Sequence, residues 1–247
     1  MTTEAPRLEA PRLEAPRLES PRLESQAINT SRARRIVIFA KAPLPGYAKT
    51  RLIPALGLDG SAQLARRLLM HTIEQALAAN IGPVELCVSP SVHHPIWETL
   101  PWETLPRKTP ARKTDPLAWS YQGEGDLGQR MGRAVQRVTA QGESVILIGT
   151  DCPGLNADTL RAAAHALDHH HASLTPVSDG GYSLLGLNQY TPRLFTDIPW
   201  STEIVAQLTR QRIAELGWTL QEGPMLHDID EPDDLQHLPS HWLQNMA

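Results

Sequence analysis

From Arg35 onward, short continuous apolar runs alternate with longer stretches whose apolar residues recur every three or four positions. RIVIFA (35–40), PVELCVS (83–89), SVILIGT (144–150), ASLTPV (172–177) and YSLLGL (182–187) read as buried strands. PLAWSYQ (116–122) is a weaker strand and WTLQEG (218–223) a final one. The helical spacing predicts helices over 59–80, with Asp59 or Ser61 as N-cap, and over 126–141, 157–170 and 201–216. EPDDLQHL (231–238) predicts a closing helix with Pro232 in its first turn. Strands apolar on both faces and separated by amphipathic helices imply a mostly parallel sheet covered on both sides. The expected fold is therefore a single three-layer αβα domain over residues 34–247. Such sheets take ligands beyond the carboxyl ends of their strands, so unusual polar residues should collect just after strands.

Two segments break the pattern. EAPRL recurs with a five-residue period from Glu4 to about Ser25. That period fits neither helix nor strand, and each repeat carries a proline and only one leucine, too little apolar surface to offset its ordering entropy. Residues 1–33 are expected to form a disordered, charge-balanced tail. The stretch 95–116 contains WETLP twice in tandem and then RKT twice. It reads as a variable surface insertion, with Trp97 and Trp102 as alternative ligand-stacking aromatics.

Charge and composition narrow the classes. The formal net charge is −4, which offers no global basic field for a nucleic acid. Cys87 and Cys152 lie far apart, giving neither a disulfide framework nor a zinc motif. No apolar run reaches the length of a membrane span and no signal-like start is present, so a cytoplasmic location is expected. The chain has four lysines, Lys41, Lys49, Lys108 and Lys113. Two of them fall in AKAPLPGYAKTRL (40–52), directly after the first strand.

The polar residues do collect at strand ends. Lys41, Lys49 and Arg51 follow the first strand, with Gly46 for close backbone approach and Thr50 as a hydroxyl donor. Asp151 follows SVILIGT, Asp179-Gly180-Gly181-Tyr182 follows ASLTPV, and Asp228 and Asp230 follow WTLQEG. In extended chain alternate residues face one side, so Asp228 and Asp230 are expected to converge on one ion. Cations at one strand end and carboxylates at others suit a polyphosphate with Mg²⁺ (or Mn²⁺). The first loop is not a Walker A: Pro43 and Ala48 stand where its glycines would be. Each residue also has a plainer reading. Lys49 and Arg51 suit a solvated surface, Asp151 a helix cap, Asp179 a turn, and the acids at 228–234 a helix start. The His169-His170-His171 run suits a helix end, and Cys152 has no His placed to activate it.

Taken together and in order, FAKAPLPGYAKTRLIPALG, GDLGQRM, LIGTDCPGL, DGGYSLLGL, PWST and DIDEPDDL resemble a bacterial family known as transferase 1 of radical-SAM/selenodomain clusters. The resemblance covers residues 35–236. The motifs are also similar to those of the 2-phospho-L-lactate and phosphoenolpyruvate guanylyltransferases. It implies a nucleotide-diphosphosugar transferase (glycosyltransferase-A-like) fold. Carried onto this chain, it implies nucleotide contacts at Lys41, Lys49 and Arg51, and metal at Asp151 and at Asp228 or Asp230. Acceptor contacts are implied near Asp179, Gly180, Gly181 and Tyr182, and Asp126 in the GDLGQRM motif joins them as a candidate. The sugar-nucleotide pyrophosphorylase loop and a central Asp-x-Asp are both missing.

The expected activity is metal-dependent transfer from a nucleotide-activated donor to a small acceptor, with Asp151 and Lys49 as catalytic candidates. Nucleotidyl transfer from a nucleoside triphosphate to a phosphorylated or carboxylate acceptor stands first. Glycosyl transfer from a nucleotide sugar and a non-catalytic nucleotide-binding module are the alternatives. Deleting residues 2–33 should leave the melting temperature and turnover unchanged, since EAPRL repeats supply no core. A truncated protein that melts several degrees lower would show that the tail packs on the domain.

Overall fold

The computed structural model describes residues 32–105 and 117–243. All but the last two residues of the expected tail, and the 106–116 part of the insertion, lie outside the described residues. Twelve helices and strands run β1 (Arg34–Lys41), α1 (Ile53–Ala79), β2 (Val84–Ser89), β3 (Leu117–Tyr121), α2 (Leu127–Thr139), β4 (Ser144–Ile148), α3 (Ala157–Ala166), β5 (Ala172–Pro176), β6 (Tyr182–Leu187), α4 (Val205–Glu215), β7 (Leu220–Glu222) and α5 (Ser240–Leu243). The seven strands form one sheet in the order β3-β2-β1-β4-β6-β5-β7. β6 runs antiparallel to both its neighbours, β4 and β5, while the remaining pairs are parallel.

The alternation of side chains along β1 divides the core. Ile36, Ile38 and Ala40 face α1 and α3 and join Leu69, Ile73, Leu160 and Leu167 in one cluster. Val37 faces the other side and packs with Met131, Val135 and Ile213 of α2 and α4. Burying each such aliphatic side chain is worth about 1.5–3 kcal/mol, so the central strands are the most firmly held part of the sheet. Glu85, 2% exposed on β2, is the charged exception. Arg137 and Ser120 both donate to it, with Arg35 3.7 Å away, as a buried carboxylate requires.

Several expected elements shift. A short helical segment from Ile53, with Pro54 in its first turn, precedes the expected first helix and is separated from it by a break at Gly57 (φ 71°, ψ 176°). Its N-cap position is Leu52, with no side-chain hydrogen bond. Ser61 is fully buried within the helix. Spacing alone missed this start because only a glycine tolerates the break's positive φ. The closing helix is a 3-10 turn, Pro232–His237, at whose start the Asp234 carboxylate accepts from the Asp230 and Glu231 amides.

The described part of the insertion carries core residues. Trp97 is 4% exposed and donates through Nε1 to the Ser91 carbonyl at 2.7 Å. Trp97 and Trp102 both meet Trp119 of β3 edge-on, at 5.8 and 5.4 Å between ring centres. These tryptophans cover the β3 side of the sheet instead of presenting faces to a ligand. Trp97→Ala should therefore cost about 3–5 kcal/mol in urea unfolding. A solvated tryptophan at this position would change stability by no more than about 0.5 kcal/mol.

Candidate active site

The carboxyl ends of β1, β4 and β5 open on one edge of the sheet, and the chain after β7 crosses that edge. Leu226 pairs with Val177 in a parallel bridge, and the Ile229 amide donates to the Asp151 carbonyl at 2.9 Å. This crossing brings Asp228 and Asp230 beside the loops that follow β1 and β4. Ile229, 0% exposed between them, pins the segment into a small apolar cluster with Leu52, Leu64 and Leu68.

Lys49 is the centre of the arrangement. Its backbone is left-handed (φ 52°, ψ 41°), a conformation that costs a non-glycine residue about 1–2 kcal/mol. That backbone turns the side chain inward, where it is 6% exposed. Nζ lies 2.5 Å from Asp151 Oδ1 and 2.8 Å from Asp230 Oδ1, and donates to the Ile229 carbonyl at 2.6 Å. An ammonium has three donors, and these three acceptors use them all. Burial disfavours the Lys49 charge, but the Asp151 and Asp230 carboxylates outweigh it and hold Lys49 above its ordinary value. Burial likewise opposes the Asp230 charge, and Lys49, Arg51 and Lys41 together pull its carboxyl below the usual range.

Asp151 is free for this pairing because Asn156, not Asp151, caps α3, accepting from the Thr159 amide at 3.0 Å. Lys41 and Arg51 are exposed and lie near enough to act on Asp230. Arg51 comes within 3.9 Å of Glu231, both side chains being largely solvated. Thr50 begins the 3-10 turn after Lys49, and Gly46 takes a positive φ of 73° in the preceding turn.

The other acids have different work. Asp179 Oδ1 accepts from the Gly181 amide at 2.7 Å and shapes its own turn. Gly180 (φ 89°) sits so close to the start of α4 that a Cβ would lie 2.0 Å from the Glu203 carbonyl. Its carbonyl accepts from the Ala206 amide. The Tyr182 hydroxyl is buried, and burial raises its pKa well above that of an ordinary phenol. Asp126 caps α2 in a reciprocal box with Gln129. Asp228 carries no ion pair among the described residues. Burial, then the nearby Asp179 carboxylate, push its carboxyl up to about 6. Cys152 is buried and its thiol pushed up to about 11 by burial, which suits packing rather than nucleophilic work.

The metal expectation meets a specific obstacle. Asp151 and Asp230 do converge on one point, but the Lys49 ammonium fills it. Asp228 makes no ion pair with that ammonium among the described residues, and the nearby Asp179 and Asp230 carboxylates both oppose its charge. No group of three or more His, Cys, Asp or Glu side chains is placed to hold an ion among the described residues. As arranged, these residues do not fit a resident divalent cation. Sequence reasoning missed Ile229, whose carbonyl completes the lysine's set, since any backbone carries that acceptor. It also missed Gln122, buried and donating to the Ala40 and Cys87 carbonyls, which ties the ends of β1 and β2 together. The exposed Tyr47 and Tyr121 flank those ends, and the Tyr47 hydroxyl meets Ser89 Oγ at 2.9 Å.

Residues 72–202 match the model of a family described as an uncharacterized protein conserved in bacteria, DUF2064. The chain belongs to that family. No curated protein matches the chain. Among solved structures, it is similar to a candidate nucleotide-diphospho-sugar transferase of Desulfovibrio desulfuricans G20, at 26% identity and a TM-score of 0.74, over 87% of this chain and 89% of that one. It is also similar to a 4-diphosphocytidyl-2C-methyl-D-erythritol synthase of Anaerococcus prevotii DSM 20548 (10% identity, TM-score 0.53, 88% and 99% covered). A Methanothermobacter nucleotidyl transferase matches at 16% identity and a TM-score of 0.51, with 86% and 98% covered. At the identities of these last two, the likeness is one of fold. This DUF2064 chain has the three-layer, glycosyltransferase-A-like fold of nucleotide-diphosphosugar and nucleotidyl transferases. No helix among its described residues is long and apolar enough to cross a membrane.

The raised Asp228 carboxyl has a consequence for stability. A group raised in the folded state stabilises it fully below the unfolded value, near pH 4, and that contribution fades as pH rises through about 6. Asp228→Asn should therefore stabilise the protein by about 1 kcal/mol at pH 8, the shift being discounted because the group is half exposed. At pH 4 it should change little. Urea unfolding at the two pH values measures the difference, and an equal effect at both would remove the assigned burial and repulsion.

Proposed function

We propose that this protein transfers a group from a nucleotide-activated donor to a small acceptor at the edge where Lys41, Lys49, Arg51, Asp151 and Asp230 meet. The observation that carries the reading is this convergence of cations and carboxylates from three separate strand ends, on a fold shared with transferases that use nucleotides. Convergence of charge at one strand edge is more than a solvated surface needs, and it is the usual ligand position of such sheets. Because the three donors of Lys49 are committed, donor phosphates fall to Lys41, Arg51, the Thr50 hydroxyl and the backbone around Gly46. Lys49 anchors Asp151 and Asp230 around them.

In nucleotidyl transfer, an acceptor phosphate or carboxylate oxygen attacks the α-phosphorus of a nucleoside triphosphate. The bond to the bridging oxygen of the β-phosphate breaks, and pyrophosphate leaves toward the Lys41 and Arg51 cations. The protein's contribution is positioning and electrostatic stabilisation. The turn at Asp179-Gly180-Gly181, beside Asp228, faces the acceptor side. The chain's place near the transferase 1 and guanylyltransferase families, implied by its motifs, agrees with this chemistry. The residues expected to hold Mg²⁺ or Mn²⁺, Asp151 and Asp230, already hold an ammonium.

A second reading, glycosyl transfer from a nucleotide sugar, is favoured by the likeness to the Desulfovibrio protein. The products separate the two: pyrophosphate from the first, a nucleoside diphosphate from the second. Both are measured with nucleoside triphosphates and nucleotide sugars, presented with phosphorylated and carboxylate acceptors. Absence of binding to every donor in a thermal-shift panel would overturn both readings. Lys41→Ala and Arg51→Ala should each weaken donor binding by about ten- to a hundredfold, as loss of a charge-assisted contact of about 1.5–3 kcal/mol dictates. Their melting temperatures should stay at the wild-type value, because both side chains are solvent-exposed.

A further inference from the structure

We infer that Lys49 is the resident cation of this site, standing permanently where a divalent ion would otherwise bridge Asp151 and Asp230, and that the carboxylate pair holds no metal while Lys49 is present.

Two carboxylates brought to one point need a positive charge between them, or each disfavours the other's ionisation. Here that charge is supplied by the chain. Nζ is within 2.8 Å of one oxygen from each carboxylate, and the Ile229 carbonyl takes its third donor. A metal on the same two oxygens would have to expel an ammonium that is 6% exposed and fully hydrogen-bonded. It would also leave that ammonium buried beside a second cation, a combination that burial makes costly. The left-handed backbone of Lys49 points the same way. A solvated lysine gains nothing from that conformation, whereas one aimed into the cluster is repaid by two ion pairs. The nearby Asp228 does not rescue a metal site, because no three His, Cys, Asp or Glu side chains among the described residues are placed to hold an ion.

The inference concerns cation occupancy and not transfer, so its test reads metal binding in the full chain without nucleotide. Free Mn²⁺ is followed by electron paramagnetic resonance in titrations of wild type, Asp151→Asn, Lys49→Ala and the double variant Lys49→Ala with Asp151→Asn. Wild type and Asp151→Asn should bind Mn²⁺ equally, any binding being elsewhere on the surface. Lys49→Ala should gain a site roughly tenfold tighter or more, since two convergent carboxylates then lack a cation, and the double variant should lose it. Mn²⁺ should also raise the melting temperature of Lys49→Ala but not of wild type. Lys49→Met, which keeps the apolar stem, repeats the test if the alanine variant folds poorly. Two results would overturn the inference: Mn²⁺ binding in wild type that Asp151→Asn abolishes, or folded Lys49 variants that gain no site. If neither Lys49 variant folds with or without Mn²⁺, the wild-type and Asp151→Asn pair alone decides it. Failure of the donor panel with success here would remove the transferase reading and leave Lys49 as the site's cation.

Discussion

One buried ammonium holds three distant pieces of the chain together. Lys49 belongs to the loop after β1, Asp151 to the turn after β4, and Asp230 and the Ile229 carbonyl to the segment that crosses the sheet edge after β7. The physical constraint is the cost of an unpaired charge away from water. A lysine this enclosed needs partners for its donors, and the two half-exposed carboxylates, together with the Ile229 carbonyl, supply them. Removing Lys49 would leave both carboxylates without that partner, and the ammonium joins the burial of Ile229 in giving the crossing segment, otherwise mostly polar and exposed, a defined path.

That brace changes how the neighbouring residues divide the chemistry. The cation most suggestive of phosphate binding, Lys49, is consumed by structure, while Lys41 and Arg51 keep solvent-facing positive charge close to Asp230. A donor's phosphates would meet these two without disturbing the brace. The acids separate similarly. Asp151 and Asp230 share the Lys49 ammonium, whereas burial and the nearby Asp179 and Asp230 carboxylates oppose the ionisation of Asp228. The edge thus has a cationic side toward β1 and a carboxyl side toward β5 and β6.

The glycines and tryptophans show how the scaffold supports the edge. Gly180 lets the Asp179 turn touch the start of α4, where any side chain would collide with the Glu203 carbonyl. Trp97, Trp102 and Trp119 interlock beyond β3 and cover a sheet margin that would otherwise be open. The tandem WETLP unit looked inserted because short-unit duplication is a common source of surface loops. Its burial depends on what lies beneath it, and a repeat carries no signal of that.

The alternation of apolar strands and amphipathic helices was enough to derive an αβα sheet with its polar residues at the strand ends. Both follow from local periodicity and from the burial of parallel strands on two faces. Composition likewise sets the expectation that the EAPRL repeats, outside the described residues, make no core. The antiparallel insertion of β6 between β4 and β5 was beyond that reading, because strand order is a matter of long-range pairing. So was the choice between a helix cap and a site residue for Asp151, which turned on Asn156 serving as the cap instead. Above all, the tertiary structure decided what Lys49 touches. Lys49 and Asp230 stand 181 positions apart, and nothing local to either encodes the other. Only the crossing of the chain after β7 over the sheet edge puts a buried ammonium where carboxylates alone would have suggested a metal.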